Sequence, residues 1–200
     1  MRIFTAINLP KEIKKKLVSY QKQWQDLPVR WTPPENLHIT LVFIGDANQK
    51  QLEQIKGVSK KVGKACTSFS VKLYNITLGP PNSFPRMFWV EGAYLDKSKQ
   101  DKPPARPERS KKNSLQELHG TLEDSLVKVK NTGLQEKESR TYHPHITLGR
   151  IKQEEWKKMR QQPTINEEIS MEVPVDSFEI MKSELKSSGA EYSVVKSIKL

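Results

Sequence analysis

The tetrapeptide His38-Ile39-Thr40-Leu41 returns unchanged as His145-Ile146-Thr147-Leu148. Each copy follows a proline-bearing lead-in, Pro33-Pro34 or Pro144, and each opens an apolar run of strand character. A strand projects residues i and i+2 to the same face. The histidine and threonine of each copy therefore share a face, while Leu37, Ile39 and Leu41, or Ile146 and Leu148, point the other way into a core. Such a chain has to bring two similarly built strands into one fold. The segment Asn75-Ile-Thr-Leu-Gly shows that Ile-Thr-Leu alone is ordinary strand material. The information lies in the imidazoles, and only four histidines occur in 200 residues.

The rest of the chain reads as a mixture of strands and helices. Arg2–Asn8 alternates as a strand, and Pro10 starts a helix whose apolar face is Ile13, Leu17, Tyr20 and Trp24. Residues 31–36 are turn-rich and lead into a strand over 37–44, followed by a helix over 48–62. Strands are expected at 68–78 and 87–93, a helix at 114–130, a strand at 142–151 and a short helix at 153–160. Strands at 173–182 and 191–198 close the chain around the turn Ser187-Ser-Gly-Ala. Several neighbouring strands are joined by turns too short for a parallel crossover, so the class is α+β with antiparallel sheets. The nine glycines are scattered, which removes the Gly-rich phosphate loops of nucleotide-binding α/β folds.

Two hundred residues suit one domain over 1–200, or one domain with two halves. No apolar run approaches the ~20 residues of a membrane span, and no signal-like segment precedes the first strand. Cys66 is the only cysteine, so an intramolecular disulfide and a cysteine-based zinc site are excluded. A cytoplasmic monomer without membrane contact is the expectation. The chain is basic, +11 with a pI near 9.6, which favours polyanionic partners. Residues 97–112, with seven basic and two acidic side chains, concentrate that charge and read as a flexible, solvated loop.

Two imidazole–hydroxyl pairs facing each other suit acid–base chemistry at phosphorus. Imidazole titrates near neutrality, so one ring can accept a proton while the other donates one. The hydroxyls of Thr40 and Thr147 can bind non-bridging phosphate oxygens. Arg150 is a further candidate, although its odd offset from His145 sends it to the opposite face of an ideal strand; a bulge permitted by Gly149 would bring it back. His143, two residues before His145, borders the site, and without a third ligand no metal is expected there. His119 sits in a helical pattern and reads as a surface residue. Trp31, Phe43, Phe84 and Tyr142 are aromatics that can stack a nucleobase, with core packing the commoner alternative.

Taken together, these residues resemble the 2H phosphoesterases, a family defined by two His-x-Thr/Ser-x motifs, and most closely its RNA 2′,3′-cyclic phosphodiesterase (2′-5′ RNA ligase-like) branch. The resemblance runs from Arg2-Ile-Phe-Thr-Ala-Ile through residues 30–45 and His143-Pro-His-Ile-Thr-Leu-Gly-Arg to Met181-Lys-Ser-Glu-Leu and Gly189-Ala-Glu-Tyr. Only residues 97–112 look foreign to it. It implies a bilobal α+β fold, with two related antiparallel sheets forming a V-shaped cleft and helices outside. It also implies metal-independent, cofactor-free opening of a 2′,3′-cyclic phosphate at an RNA end to a 2′-phosphomonoester. His38 would be the proton donor and His145 the proton acceptor, with Thr40, Thr147, Arg150, His143 and Phe43 around the substrate. Reverse formation of a 2′-5′ linkage is implied as a side activity. The alternatives are a phosphodiesterase for another substrate, such as 2′-5′ oligoadenylate, and a non-catalytic protein that binds RNA ends.

Overall fold

The computed structural model describes residues 1–81, 83–94, 114–139, 141–187 and 189–200. The basic stretch expected as a loop, 97–112, lies outside the described residues. The elements run β1 (Arg2–Asn8), α1 (Lys11–Gln23), β2 (Val29–Trp31), a 3-10 turn (Pro34–Asn36), β3 (His38–Asp46), α2 (Gln49–Ala65), β4 (Phe69–Gly79) and β5 (Met87–Tyr94). They continue with α3 (Ser114–Leu126), β6 (His145–Ile151), α4 (Gln153–Lys157), β7 (Asn166–Val175), β8 (Ser177–Lys186) and β9 (Gly189–Lys199).

All strand pairs are antiparallel, in the order β7-β4-β5-β6-β3-β1-β8-β9, with β2 added beside β6. The fold is α+β, as the pattern of the sequence implied. It consists of two four-stranded halves, β7-β4-β5-β6 and β3-β1-β8-β9. The halves meet at a single pair, Ile39 opposite Ile146. Each half therefore ends on one of the two His-Ile-Thr-Leu strands. The sheet is strongly curled, because Tyr192 on β9 reaches within 5.3 Å of the His38 ring although two strands lie between β9 and β3.

One face of the sheet carries the main core. Ile39, Ile146, Leu148 and Leu37 are fully buried there, and Leu17 of α1, Ile55 of α2 and Leu118 of α3 pack on the same side. Helix α1 starts after Pro10, whose fixed φ suits a helix start and whose missing N–H costs nothing there. Helix α2 starts with a capping box between Asn48 and Gln51. The opposite, concave face carries a small apolar cluster of Phe4, Ala6 and Met181, with Tyr192 against it.

Some boundaries depart from expectation. The strand expected at 173–182 is two strands, because the chain breaks at Asp176, whose carbonyl accepts from the Leu200 N–H. β7 extends back to Asn166 on a clean alternation that buries Ile169, Met171, Val173 and Val175. β2 has no strand signal in its sequence, yet its three residues pair with β6. Helix α3 ends at Leu126, although Val129 beyond it is still buried. β6 starts at His145 and not at Tyr142, so His143 precedes the strand. No helix among the described residues is long and apolar enough to cross a membrane.

Candidate active site

The antiparallel pairing of Ile39 with Ile146 relates the two motifs by an approximate twofold axis. With both isoleucines buried beneath, the polar residues beside them face the concave side. Continuing that register sets His38 toward Thr147 and Thr40 toward His145. Same-face diagonal neighbours across such a pair lie roughly 7–8 Å apart, which leaves room for an anion between the imidazoles.

Each ring is held in the same way. His38 Nδ1 lies 2.7 Å from the carbonyl oxygen of Asn36, and His145 Nδ1 lies 2.8 Å from that of His143. A carbonyl only accepts, so Nδ1 carries the proton in both neutral rings and Nε2 is left as the reactive nitrogen. His38 Nε2 is 3.0 Å from Thr40 Oγ1, so the hydroxyl donates to the neutral ring. The turn that supplies the Asn36 carbonyl is itself tied down. The Asn36 side-chain amide donates to the Ala190 carbonyl at 2.9 Å, and Lys14 Nζ donates to the Glu35 carbonyl at 3.3 Å.

The surroundings of the two rings differ. His38 sits between Phe4 and Tyr192, at 5.2 and 5.3 Å between ring centroids. Desolvation in this enclosure pushes its pKa down to about 4, opposed by the bond to Asn36 and assisted by the charges of Lys14 and His145. His145 lies flat on Trp89, with centroids 4.1 Å apart and planes 23° apart. Its pKa is also lowered, chiefly by desolvation, with His143 and Arg150 adding to the effect and the backbone bond to His143 opposing it.

Trp89 can lie flat because Gly79 is beside it. A Cβ on Gly79 would come within 2.3 Å of the indole. Glu91 stands directly opposite His145 on β5, and its charge adds to burial in pushing the Tyr74 pKa up.

The register of β5 with β6 settles where Arg150 points. Phe88 is opposite Gly149 and Trp89 is opposite Thr147, so Leu148 is an extra residue, a β-bulge. Leu148 and Gly149 both face the core side, and Arg150 returns to the concave side with Thr147. Met87 Sδ is 4.0 Å from Thr147 Oγ1 and 3.7 Å from Arg150 Nη1, which places both on one face. The bulge is at Leu148 and not at Gly149. Gly149 serves another purpose, since a Cβ there would strike Val29 and Trp31 of β2. The Leu148 carbonyl accepts from the Thr32 N–H and from the buried Gln21 side chain, which stabilises the bulge.

β3 repeats the device. Thr40 pairs with Ala6 and Val42 with Thr5, so Leu41 is the extra residue, and Phe43 pairs with Phe4 on the concave side. Phe43 thus occupies in the first motif the place that Arg150 takes in the second. It is 71% exposed and 5.9 Å from Phe4.

Other expected candidates fall elsewhere. Trp31 packs against Phe88 in the core. Phe84 is exposed beside Lys157. Tyr142 donates from its hydroxyl to the Thr40 carbonyl at 2.9 Å, and burial pushes its pKa up. His119 is not a free surface residue, for it stacks on Tyr142 at 3.9 Å. Among the described residues no cluster of three His, Cys, Asp or Glu side chains is placed to hold a metal ion. Nothing in the local sequence marks Tyr192, Phe4, Trp89 or Tyr142 as partners of the motifs, because their contacts join segments distant along the chain.

Residues 7–89 match the family described as LigT like Phosphoesterase. Along 198 residues the chain is 27% identical to the RNA 2′,3′-cyclic phosphodiesterase of Methanocaldococcus jannaschii, covering 98% of this chain and 99% of that one. It is 26% identical over 206 residues to the RNA 2′,3′-cyclic phosphodiesterase of Thermus thermophilus, covering 100% and 90%.

In fold it is similar to the crystal structure of TT0787 of Thermus thermophilus, with a TM-score of 0.78, 22% identity and coverage of 100% and 98%. It is also similar to E. coli LigT complexed with 3′-AMP, with a TM-score of 0.73, 20% identity and coverage of 100% and 97%. The fold is that of the two-histidine phosphoesterases, and the paired His-x-Thr motifs lie where its two halves meet. The chain is thus similar to the LigT-like phosphoesterases over residues 7–89, and along nearly its whole length to proteins named RNA 2′,3′-cyclic phosphodiesterase.

Proposed function

We propose that the protein opens 2′,3′-cyclic phosphates at RNA ends to 2′-phosphomonoesters, using His38 and His145 as acid and base without a metal. The observation that carries the reading is the meeting of the two His-x-Thr pairs about the Ile39–Ile146 contact. The cyclic phosphate sits between the imidazoles, with its non-bridging oxygens on the hydroxyls of Thr40 and Thr147. His145 Nε2 takes a proton from water as the water oxygen bonds to phosphorus. The P–O3′ bond breaks, and the 3′-oxygen takes the proton of His38 Nε2.

Arg150 donates to the phosphate. Phe43 offers an exposed aromatic face to the terminal base, and His143 holds the His145 ring through its carbonyl. The bound anion favours the protonated form of His38, which supplies the proton that this ring lacks in the free protein at neutral pH. His145 enters the step neutral, with Nε2 open to accept. With an RNA 5′-hydroxyl in place of water as the nucleophile, the same break of the P–O3′ bond would leave a 2′-5′ linkage. The basic charge supports RNA as the partner, and the single cysteine fits a reducing cytoplasm.

A second reading has a specific observation behind it. His38 is the more strongly depressed ring and suits the role of base, which would release the 2′-oxygen instead. A short RNA with a cyclic phosphate end, incubated with the protein in EDTA, tests both. A 2′-phosphate product supports the proposal, and a 3′-phosphate product reverses the roles. No product in EDTA, with activity restored by a divalent metal, removes the metal-free mechanism.

A further inference from the structure

The concave face holds a second cation that the chemistry at the histidines does not use. In the β2–β6 ladder Arg30 stands directly opposite Arg150. Their neighbours fix the side on which they project. Val29 and Ile151 are opposite each other and buried in the core, and Trp31 and Gly149 are packed on that same side. Arg30 and Arg150 therefore both face the concave side, and both are exposed.

Like charges directly opposite in a ladder repel and destabilise the pair. No acidic side chain forms an ion pair with either arginine among the described residues. Two arginines at directly paired positions, neither held by a carboxylate among the described residues, offer N–H donors suited to phosphate oxygens, with Arg150 Nη1 also reaching Met87 Sδ at 3.7 Å. Arg150 lies two residues along the strand from Thr147 once the bulge is discounted, roughly 7 Å at a rise of about 3.4 Å per residue. Arg30 is one strand further out.

We infer that Arg30 and Arg150 form a second phosphate subsite, which takes the internal phosphodiester next to the terminal cyclic phosphate of an RNA chain. Arg150 bridges the two phosphates, and Arg30 serves the internal one. The inference rests on the proposed function for the position of the first phosphate. It adds a preference for chains over mononucleotides, a distinction the histidines and threonines cannot make.

The test compares a dinucleotide ending in a 2′,3′-cyclic phosphate with the corresponding nucleoside 2′,3′-cyclic monophosphate, which has no internal diester. The wild-type protein should show the higher kcat/KM on the dinucleotide. In Arg30→Ala that preference should fall by about 10-fold, as loss of a charge-assisted hydrogen bond predicts. Arg30→Gln, which keeps the bulk of the side chain on β2, should show the same fall, and Arg30→Lys should recover part of it. The log–log salt dependence of dinucleotide binding should lose about 0.7 of slope in Arg30→Ala.

A dinucleotide preference that survives both Arg30→Ala and Arg30→Gln overturns the inference. So does an equal fall on both substrates. If the wild type turns over neither substrate, the proposed function fails. Calorimetric binding of a dinucleotide 2′-monophosphate against a nucleoside 2′-monophosphate then decides the subsite: a preference that depends on Arg30 upholds it, and no such preference overturns it.

Discussion

The two halves of the site use one tetrapeptide to build two different environments. On β3 the histidine is enclosed by Phe4 and Tyr192, and the residue swung in by the bulge is Phe43. On β6 the histidine lies open-faced on Trp89, and the residue swung in is Arg150. Backbone geometry, the carbonyl on Nδ1 and the bulge after threonine are shared. Charge and burial are not. A duplicated strand thus provides two equivalent nitrogens, and the side chains packed around them make one ring harder to protonate than the other.

The strongest way to break this comparison is to remove each ring. His38→Ala and His145→Ala should each lower turnover of a cyclic-phosphate RNA by at least ~10². If one of them retained near-wild-type turnover, the two halves would not act as a pair. Opening the enclosure of His38 should come next. Tyr192→Ala admits water, so the His38 titration midpoint followed by NMR should rise from about 4 toward the ordinary value near 6.5.

On the other half, Trp89→Leu removes the aromatic face beneath His145. Loss of cation–π support should lower that ring's midpoint by roughly half to one pH unit, and His119 serves as a control that should not move.

Stability should follow the same asymmetry. The pKa of folded His38 is depressed below its unfolded value, so its neutral form contributes stability above pH ~6.5. That contribution is lost as pH falls from there toward about 4. Denaturant midpoints measured across this window should show a steeper acid loss in the wild type than in His38→Asn. The smallest effect is expected from Tyr142→Phe. It removes the hydroxyl bond to the Thr40 carbonyl and should cost about 1 kcal/mol in unfolding experiments.

Local pattern made much of the fold legible. Arg2–Asn8, α1, α2 and β5 lie close to where alternation, Pro10 and helical spacing put them, because these signals are contained in a few adjacent residues. β7 shows the opposite case. Its alternating Ile169, Met171, Val173 and Val175 give way to Phe178 and Ile180 with the phase shifted by one residue, and the pairing of β7 with β4 and of β8 with β1 separates the two strands at Asp176. β2 has three residues and no periodicity to read, so it exists by virtue of its hydrogen bonds to β6.

The site divides along the same line. That His38 and Thr40 share a face, and His145 and Thr147 likewise, follows from the two-residue period of a strand, a property of the covalent chain. The sequence by itself determined those pairs, the aliphatics beneath them and the class of chemistry they suit. Only the tertiary structure decided that Leu41 and Leu148 bulge, that Phe43 and Arg150 turn to the concave face, and that Tyr192 closes over one ring while Trp89 underlies the other. Register and burial depend on which strands become neighbours. That is settled by the packing of residues far apart in the chain, and no short segment encodes it.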